Sequence, residues 1–303
     1  MTTMRFLLLL LAGGWWACGQ QERETATVPD LLACGDEQVF LIDAERSADS
    51  AVHYRWQWHV AETKGLPEAY KGLFRTVDEC KPVGQGDTLL ITASSGGVLL
   101  LDRLDKRALF YAKVPNAHSA ELLPGNRVAV ALSYADLGNS LEIYDLDEPE
   151  KRLIRDTLYS GHGAVWVPES ALLYALGFDV LNAYRLADWD TNQPRLELVK
   201  QWKLPDEGGH DLQSVNENEL LISTHHSVWV FDTDDQRFEP FQPLENVSDV
   251  KSANYDKETG RLVYTKAEES WWTRHIYMKN PDKVIALPEG FRLYKTRVFP
   301  HTE

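Results

Sequence analysis

The sequence predicts an all-β protein, a six-bladed β-propeller whose C-terminal strand closes the ring against the N-terminal blade. Three observations carry that prediction. First, strand–turn–strand units recur: Leu31-Leu-Ala-Cys-Gly-Asp-Glu-Gln-Val-Phe-Leu-Ile-Asp43 aligns without a gap on Leu90-Ile-Thr-Ala-Ser-Ser-Gly-Gly-Val-Leu-Leu-Leu-Asp102. Second, the polar heads Lys81, His118, His162, His210, Lys251 and Lys295 succeed one another at 37, 44, 48, 41 and 44 residues. A period of about 40 residues with four short strands each is that of a propeller. Third, no long stretch has the apolar period of a helix.

The N-terminal residues stand apart. Arg5 precedes the apolar run Phe6 to Ala12, and Gly13-Gly14-Trp15-Trp16-Ala17-Cys18 follows. Residues 1–17 read as a secretory signal, too short to span a bilayer as a mature helix. Cys18 is the expected acceptor of a lipid, as in bacterial lipoproteins, although Trp15 stands where such sites carry an aliphatic residue. Ordinary cleavage is the alternative. Residues 18–29 would form a polar tether. The expectation is an exported protein, periplasmic or held at the outer membrane or cell surface, meeting a membrane only through that lipid.

The propeller is expected over residues 30–299. Residues 30–60 supply three strands of a split blade, including Tyr54-Arg-Trp-Gln-Trp-His-Val60, in which Trp56 and Trp58 share a face. Leu66 to Phe74 is the most helix-like stretch. Five contiguous units follow, headed by Asp78–Pro82, Asn116–Glu121, Gly161–Trp166, Gly208–Leu212 and Asp249–Ala253. Paired apolar runs at Val128–Asp145, Leu172–Leu186, Glu219–Asp232 and Arg261–Met278 supply their further strands. Phe291 to Phe299 completes the split blade, removing exposed sheet edges.

Composition is that of an ordinary globular chain, with 303 residues, 44% hydrophobic and 25% charged. The formal charge of −15 argues against nucleic acid and anionic lipid as partners. A local basic cluster would still allow an anionic ligand. Cys34 and Cys80 are either a disulfide, which an exported compartment permits, or two buried thiols. Trp166, Trp202 and Trp229 sit in strand patterns and pack between blades; Trp271 and Trp272 fall in a hairpin loop, where an exposed ring offers a platform for a sugar.

The heads Ala33-Cys34-Gly35-Asp36, Asp78-Glu79-Cys80-Lys81-Pro82, Asn116-Ala117-His118-Ser119-Ala120-Glu121, Gly161-His162-Gly163, Gly209-His210-Asp211-Leu212 and Val250-Lys251-Ser252 resemble the DUF6528-type family of bacterial propellers. The resemblance covers most of residues 30–299. It implies a secreted or lipid-anchored propeller and no particular reaction. More distantly, histidines at the centre of a propeller are similar to those of the oligogalacturonate lyases, where they hold a divalent metal; that likeness is one of fold.

Inner strands of a propeller line its axis, so polar residues at their starts gather at one mouth. The expected ring is Glu79, Lys81, His118, Glu121, His162, His210, Asp211, Lys251 and Lys295. His118, His162 and His210 are candidate ligands of a divalent metal, Mn²⁺ or Zn²⁺. Lys251, Lys295 and Glu121 are candidate acid–base groups, and Glu79, Lys81, Asp211, Trp271 and Trp272 candidate ligand contacts. Such a site suits binding, and lyase or hydrolase cleavage, of a carbohydrate, uronate-containing ones included. The alternative is a non-catalytic scaffold that binds a glycan or protein, its histidines tying blade to blade. Phosphate loops, nucleophile elbows and close CxxC pairs are missing from the sequence.

Overall fold

The computed structural model describes residues 28–300 apart from Ser50. The expected signal segment and the lipid acceptor Cys18 lie outside the described residues. Six four-stranded antiparallel sheets surround one axis. The closing blade runs β24 (Leu293–Val298), β1 (Leu31–Gly35), β2 (Gln38–Ile42), β3 (Tyr54–His59) from the axis outward. Blade 1 is β4 (Val77–Val83), β5 (Thr88–Ala93), β6 (Gly97–Asp102) and β7 (Arg107–Lys113). Blade 2 is β8 (Ala117–Leu123), β9 (Arg127–Leu132), β10 (Ser140–Asp145) and β11 (Arg152–Thr157). Blade 3 is β12 (Gly163–Val167), β13 (Leu172–Leu176), β14 (Val180–Ala187) and β15 (Arg195–Lys203). Blade 4 is β16 (Asp211–Asn216), β17 (Glu219–Ser223), β18 (Val228–Asp232) and β19 (Arg237–Pro240). Blade 5 is β20 (Val250–Asp256), β21 (Arg261–Lys266), β22 (His275–Lys279) and β23 (Lys283–Ala286). Six blades and the split closure are as expected; the ends of the chain meet where Leu31 pairs Val298 and Cys34 pairs Lys295.

The second strand of a blade is apolar on both faces because each face belongs to a different seam. In β5, Leu89 and Ile91 join the cluster shared with the closing blade, whereas Leu90 joins the cluster shared with blade 2. In β13, Leu173 and Ala175 face blade 2 while Tyr174 and Leu176 face blade 4. A continuous apolar run, rather than alternation, is what double-sided burial requires. Outer strands are half exposed and read accordingly: β11 holds only exposed and half-buried residues.

The helix-like stretch becomes one turn of helix, α1 (Glu68–Lys71), and a 3-10 turn at Gly72–Phe74. Phe74 from that turn fills the seam between the closing blade and blade 1, edge-on to Trp58 at 6.5 Å. Gly97 allows it: a Cβ there would stand 2.6 Å from the Phe74 ring. Cys34 and Cys80 are buried free thiols in the same seam, and Cys34 Sγ lies 3.4 Å from Asp78 O. None of the helices described is long and apolar enough to cross a membrane.

Candidate functional site

A shared irregularity builds the axial site. The register of β4 with β5 skips Asp78, that of β8 with β9 skips His118, and that of β20 with β21 skips Lys251. In the closing blade the skipped residue is Tyr294. His162 and His210 hold the same place, immediately before the first paired residues Gly163 and Asp211. A bulge lets two consecutive side chains turn to one face. Each inner strand therefore sends one residue to the mouth and the next one deeper.

The mouth layer is Asp78, His118, His162, His210, Lys251 and Tyr294. Their rings touch in sequence: Tyr294 to His118 at 6.1 Å, His118 to His162 at 4.4 Å, and His162 to His210 at 5.5 Å, all edge to face. His118 Nδ1 lies 3.2 Å from Asn116 O and His162 Nδ1 2.9 Å from Ser160 O. A carbonyl only accepts, so these nitrogens carry the proton and Nε2 is left as the acceptor. His210 is the opposite tautomer. Its Nε2 accepts from Lys251 Nζ at 2.8 Å, and its Nδ1 has no hydrogen-bond partner.

Burial sets the charge of this layer. It pushes His162 and His210 well below the ordinary imidazole range, helped at His162 by His118 and at His210 by Lys251. It also lowers His118, against the pull of Asp78, and raises Asp78, against His118 and Ser94. Lys251 is pushed down to about 8 by burial, with Asp249 opposing. The mouth thus presents neutral imidazoles, the Asp78 carboxyl 3.7 Å from His118 Nε2, and one ammonium, Lys251.

Beneath it the axis is sealed. Arg297 donates to Glu79 and to both oxygens of Asp211, at 3.0 Å to Oδ2 and 2.5 Å to Oδ1. Lys295 Nζ lies 3.0 Å from Asp211 Oδ1 and 3.8 Å from Glu79 Oε1, and Ser119 donates to Glu79. All are nearly free of solvent. Burial alone would raise the two carboxyls, but Arg297 and then Lys295 overcome it and hold both below the usual range. Two residues further along the strands, Lys81 donates to Glu121 at 2.9 Å and to Ala164 O at 2.7 Å.

The single ring expected from sequence is therefore three layers. His118, His162, His210 and Lys251 share the mouth. Glu79, Asp211 and Lys295 are consumed in the seal. Lys81 and Glu121 pair below it, where burial raises the Glu121 carboxyl against Lys81. This depth removes Lys295 and Glu121 from the mouth pocket as acid–base groups. The expected metal ligands His118, His162 and His210 stand side by side in the mouth. Among the described residues no group of three or more His, Cys, Asp and Glu side chains is placed to hold a metal ion, and His210 Nε2 already accepts from Lys251. Asp78, Tyr294 and Arg297 are the members that the sequence reading missed. Stepping back three residues from Lys81 and one from Lys295 yields the first two, and the two-residue period from Lys295 yields Arg297.

A cavity of about 250 Å³ opens over the side of this layer formed by Asp78, His118 and Tyr294, lined also by Asn116, Ser133 and Trp271 among others. Trp271, 37% exposed, stands 5.8 Å from Tyr294, with the Arg292 guanidinium 5.9 Å over its ring. Trp272 does not line the cavity; its backbone pairs with Glu269. Glu268 anchors the hairpin by accepting from Thr273 and Tyr277 and lying 2.6 Å from His275 Nδ1.

The model of a family of unknown function, DUF6528, matches residues 17–301. No curated protein matches the chain. A crystal structure of a protein of unknown function from Bacteroides caccae is similar with a TM-score of 0.58 at 12% identity, over 89% of this chain and 98% of that one. At that identity the likeness is one of fold.

Proposed function

The chain belongs to the DUF6528 family, which carries no assigned activity, and from the site itself we propose that the axial mouth binds a carbohydrate bearing a carboxylate. One observation carries this reading. A pocket walled by Trp271, Tyr294 and His118 lies over a sealed axis, next to the one ammonium of the mouth layer, Lys251, whose nearest carboxylate is 3.8 Å away at the half-exposed Asp249. The cations of the deeper layers are paired with carboxylates; Lys251 is paired with a neutral imidazole. Trp271 and Tyr294 supply apolar faces for a pyranose, and the Nε2 atom of His118 supplies an acceptor for a hydroxyl. The proposed setting is the cell envelope, on the strength of the N-terminal pattern ending at Cys18.

The test is calorimetric titration of the protein with D-galacturonate and with D-galactose. Binding of the acid, weaker or absent binding of the neutral sugar, and loss of that preference in Lys251→Met support the proposal. Equal binding of both sugars, or of neither, overturns it.

A second reading, cleavage by β-elimination, is favoured by the same lysine. An amine held at about 8 is partly neutral near physiological pH and so able to act as a base. It would take the proton from the carbon next to the carboxylate while the glycosidic C–O bond on the adjacent carbon breaks, the electron pair forming the C=C bond and the departing oxygen taking a proton from water. The product is an unsaturated uronate, and its ultraviolet absorbance on incubation with polygalacturonate is the check. Absence of that absorbance leaves a binding module.

A further inference from the structure

Beside the pocket lies a patch that the mouth layer does not use. Tyr134 is 70% exposed and Tyr159 54% exposed, although both stand in well-anchored backbone. Asn116 Nδ2 donates to Tyr134 O at 2.8 Å, and Phe178 N to Tyr159 O at 2.9 Å. Arg155 Nη2 donates to Leu137 O at 3.0 Å and Gly138 O at 2.9 Å, fixing the loop after Tyr134. Gly138 is needed for its tightness, since a Cβ there would lie 2.0 Å from Ser133 O. A rigid loop that holds large apolar rings in water gains nothing for the fold.

The rings are also continuous with the mouth. Tyr134 meets Tyr159 at 6.4 Å, Tyr159 meets Phe178 at 5.7 Å, Phe178 meets His225 at 5.9 Å, and His225 meets His210 at 5.0 Å. Asn116 and Ser133, which line the pocket, are the hydrogen-bond partner and chain neighbour of Tyr134. We infer that Tyr134 and Tyr159 form an outer platform on which further sugar units of an oligosaccharide stack while its acidic unit occupies the mouth. The inference rests on the reading of the mouth as a carbohydrate pocket. It adds that the ligand is a chain rather than a single sugar. Flat rings with polar rims suit the apolar faces of pyranoses, and pre-anchored backbone lowers the ordering cost of binding.

The experiment compares D-galacturonate with its linear tetramer by calorimetry, for wild type and for the double variant Tyr134→Ala/Tyr159→Ala. Thermal melting checks that the variant is folded. Expected is a wild type that binds the tetramer more tightly than the monomer, and a variant that binds the monomer as before but loses about three- to tenfold of its tetramer affinity. A wild type that binds both equally, or a variant that keeps the full advantage of length, overturns the platform and leaves the pocket standing. A wild type that binds neither overturns both.

Discussion

Lys251 Nζ donates to His210 Nε2 over 2.8 Å, so the one ammonium of the mouth layer leans on a neutral imidazole. Burial holds Lys251 at about 8, below the ordinary lysine range. The two roles open to it run in opposite directions with pH. As the counter-charge of a carboxylate it works while protonated, so affinity for a uronate falls as pH rises through about 8. As a base it works while neutral, so a cleavage rate would climb through the same window. Titrations across that range are expected to show affinity falling, and the fall should vanish in Lys251→Met.

Arg297 is the keystone of the seal. Removing it in Arg297→Met leaves Glu79 and Asp211 buried with only Lys295 and, 3.9 Å from Glu79, Lys81 as counter-charges, a loss expected to be about 3–5 kcal/mol by urea unfolding. Adding Glu79→Gln should recover part of it. Glu79 and Asp211 have folded-state pKa values below their unfolded ones. Their contribution is therefore full above the ordinary carboxylate range and is lost as pH falls through it toward the folded values. Acid should destabilise the wild type more steeply than Glu79→Gln.

Trp271 forms a wall of the pocket without supporting a seam. Trp271→Ala is expected to weaken binding of the acidic sugar about three- to tenfold while shifting stability by no more than about 0.5 kcal/mol. A large drop in melting temperature would show that the ring is structural instead.

Closure of the ring protects Cys34 and Cys80. Cys34 lies between β2 and β24, with its Sγ 3.4 Å from Lys295 O. With Cys18→Ser in place, neither thiol should react with an aromatic disulfide reagent under native conditions. Deletion of residues 290–303 removes β24, and both thiols are then expected to react. Reaction in the closed form would contradict the seam as described.

Much of the architecture was legible because double-sided burial leaves a plain mark. Continuous apolar runs such as Val98–Leu101, and turns marked by Gly96 at φ 114 and Asn126 at φ 57, spell strand and turn. The spacing of Lys81, His118, His162, His210, Lys251 and Lys295 counted the blades correctly. What spacing did not convey was depth. A one-residue bulge at Asp78, His118, Lys251 and Tyr294 sends neighbours in sequence to different levels of the axis. Lys251 and Lys295 thus looked equivalent although one leans on His210 in the mouth layer and the other neutralises Asp211. Partner chemistry was equally hidden, since nothing local to Arg297 announces that it joins Glu79 to Asp211 across the ring.

The most direct measurement is a crystal of the protein soaked in D-galacturonate. The account predicts a sugar at the mouth, its ring against Trp271 or Tyr294 and its carboxylate within reach of Lys251 Nζ. A sugar bound instead in the pocket formed by Gln213, Asn254 and Phe299, with the mouth unchanged, would contradict it.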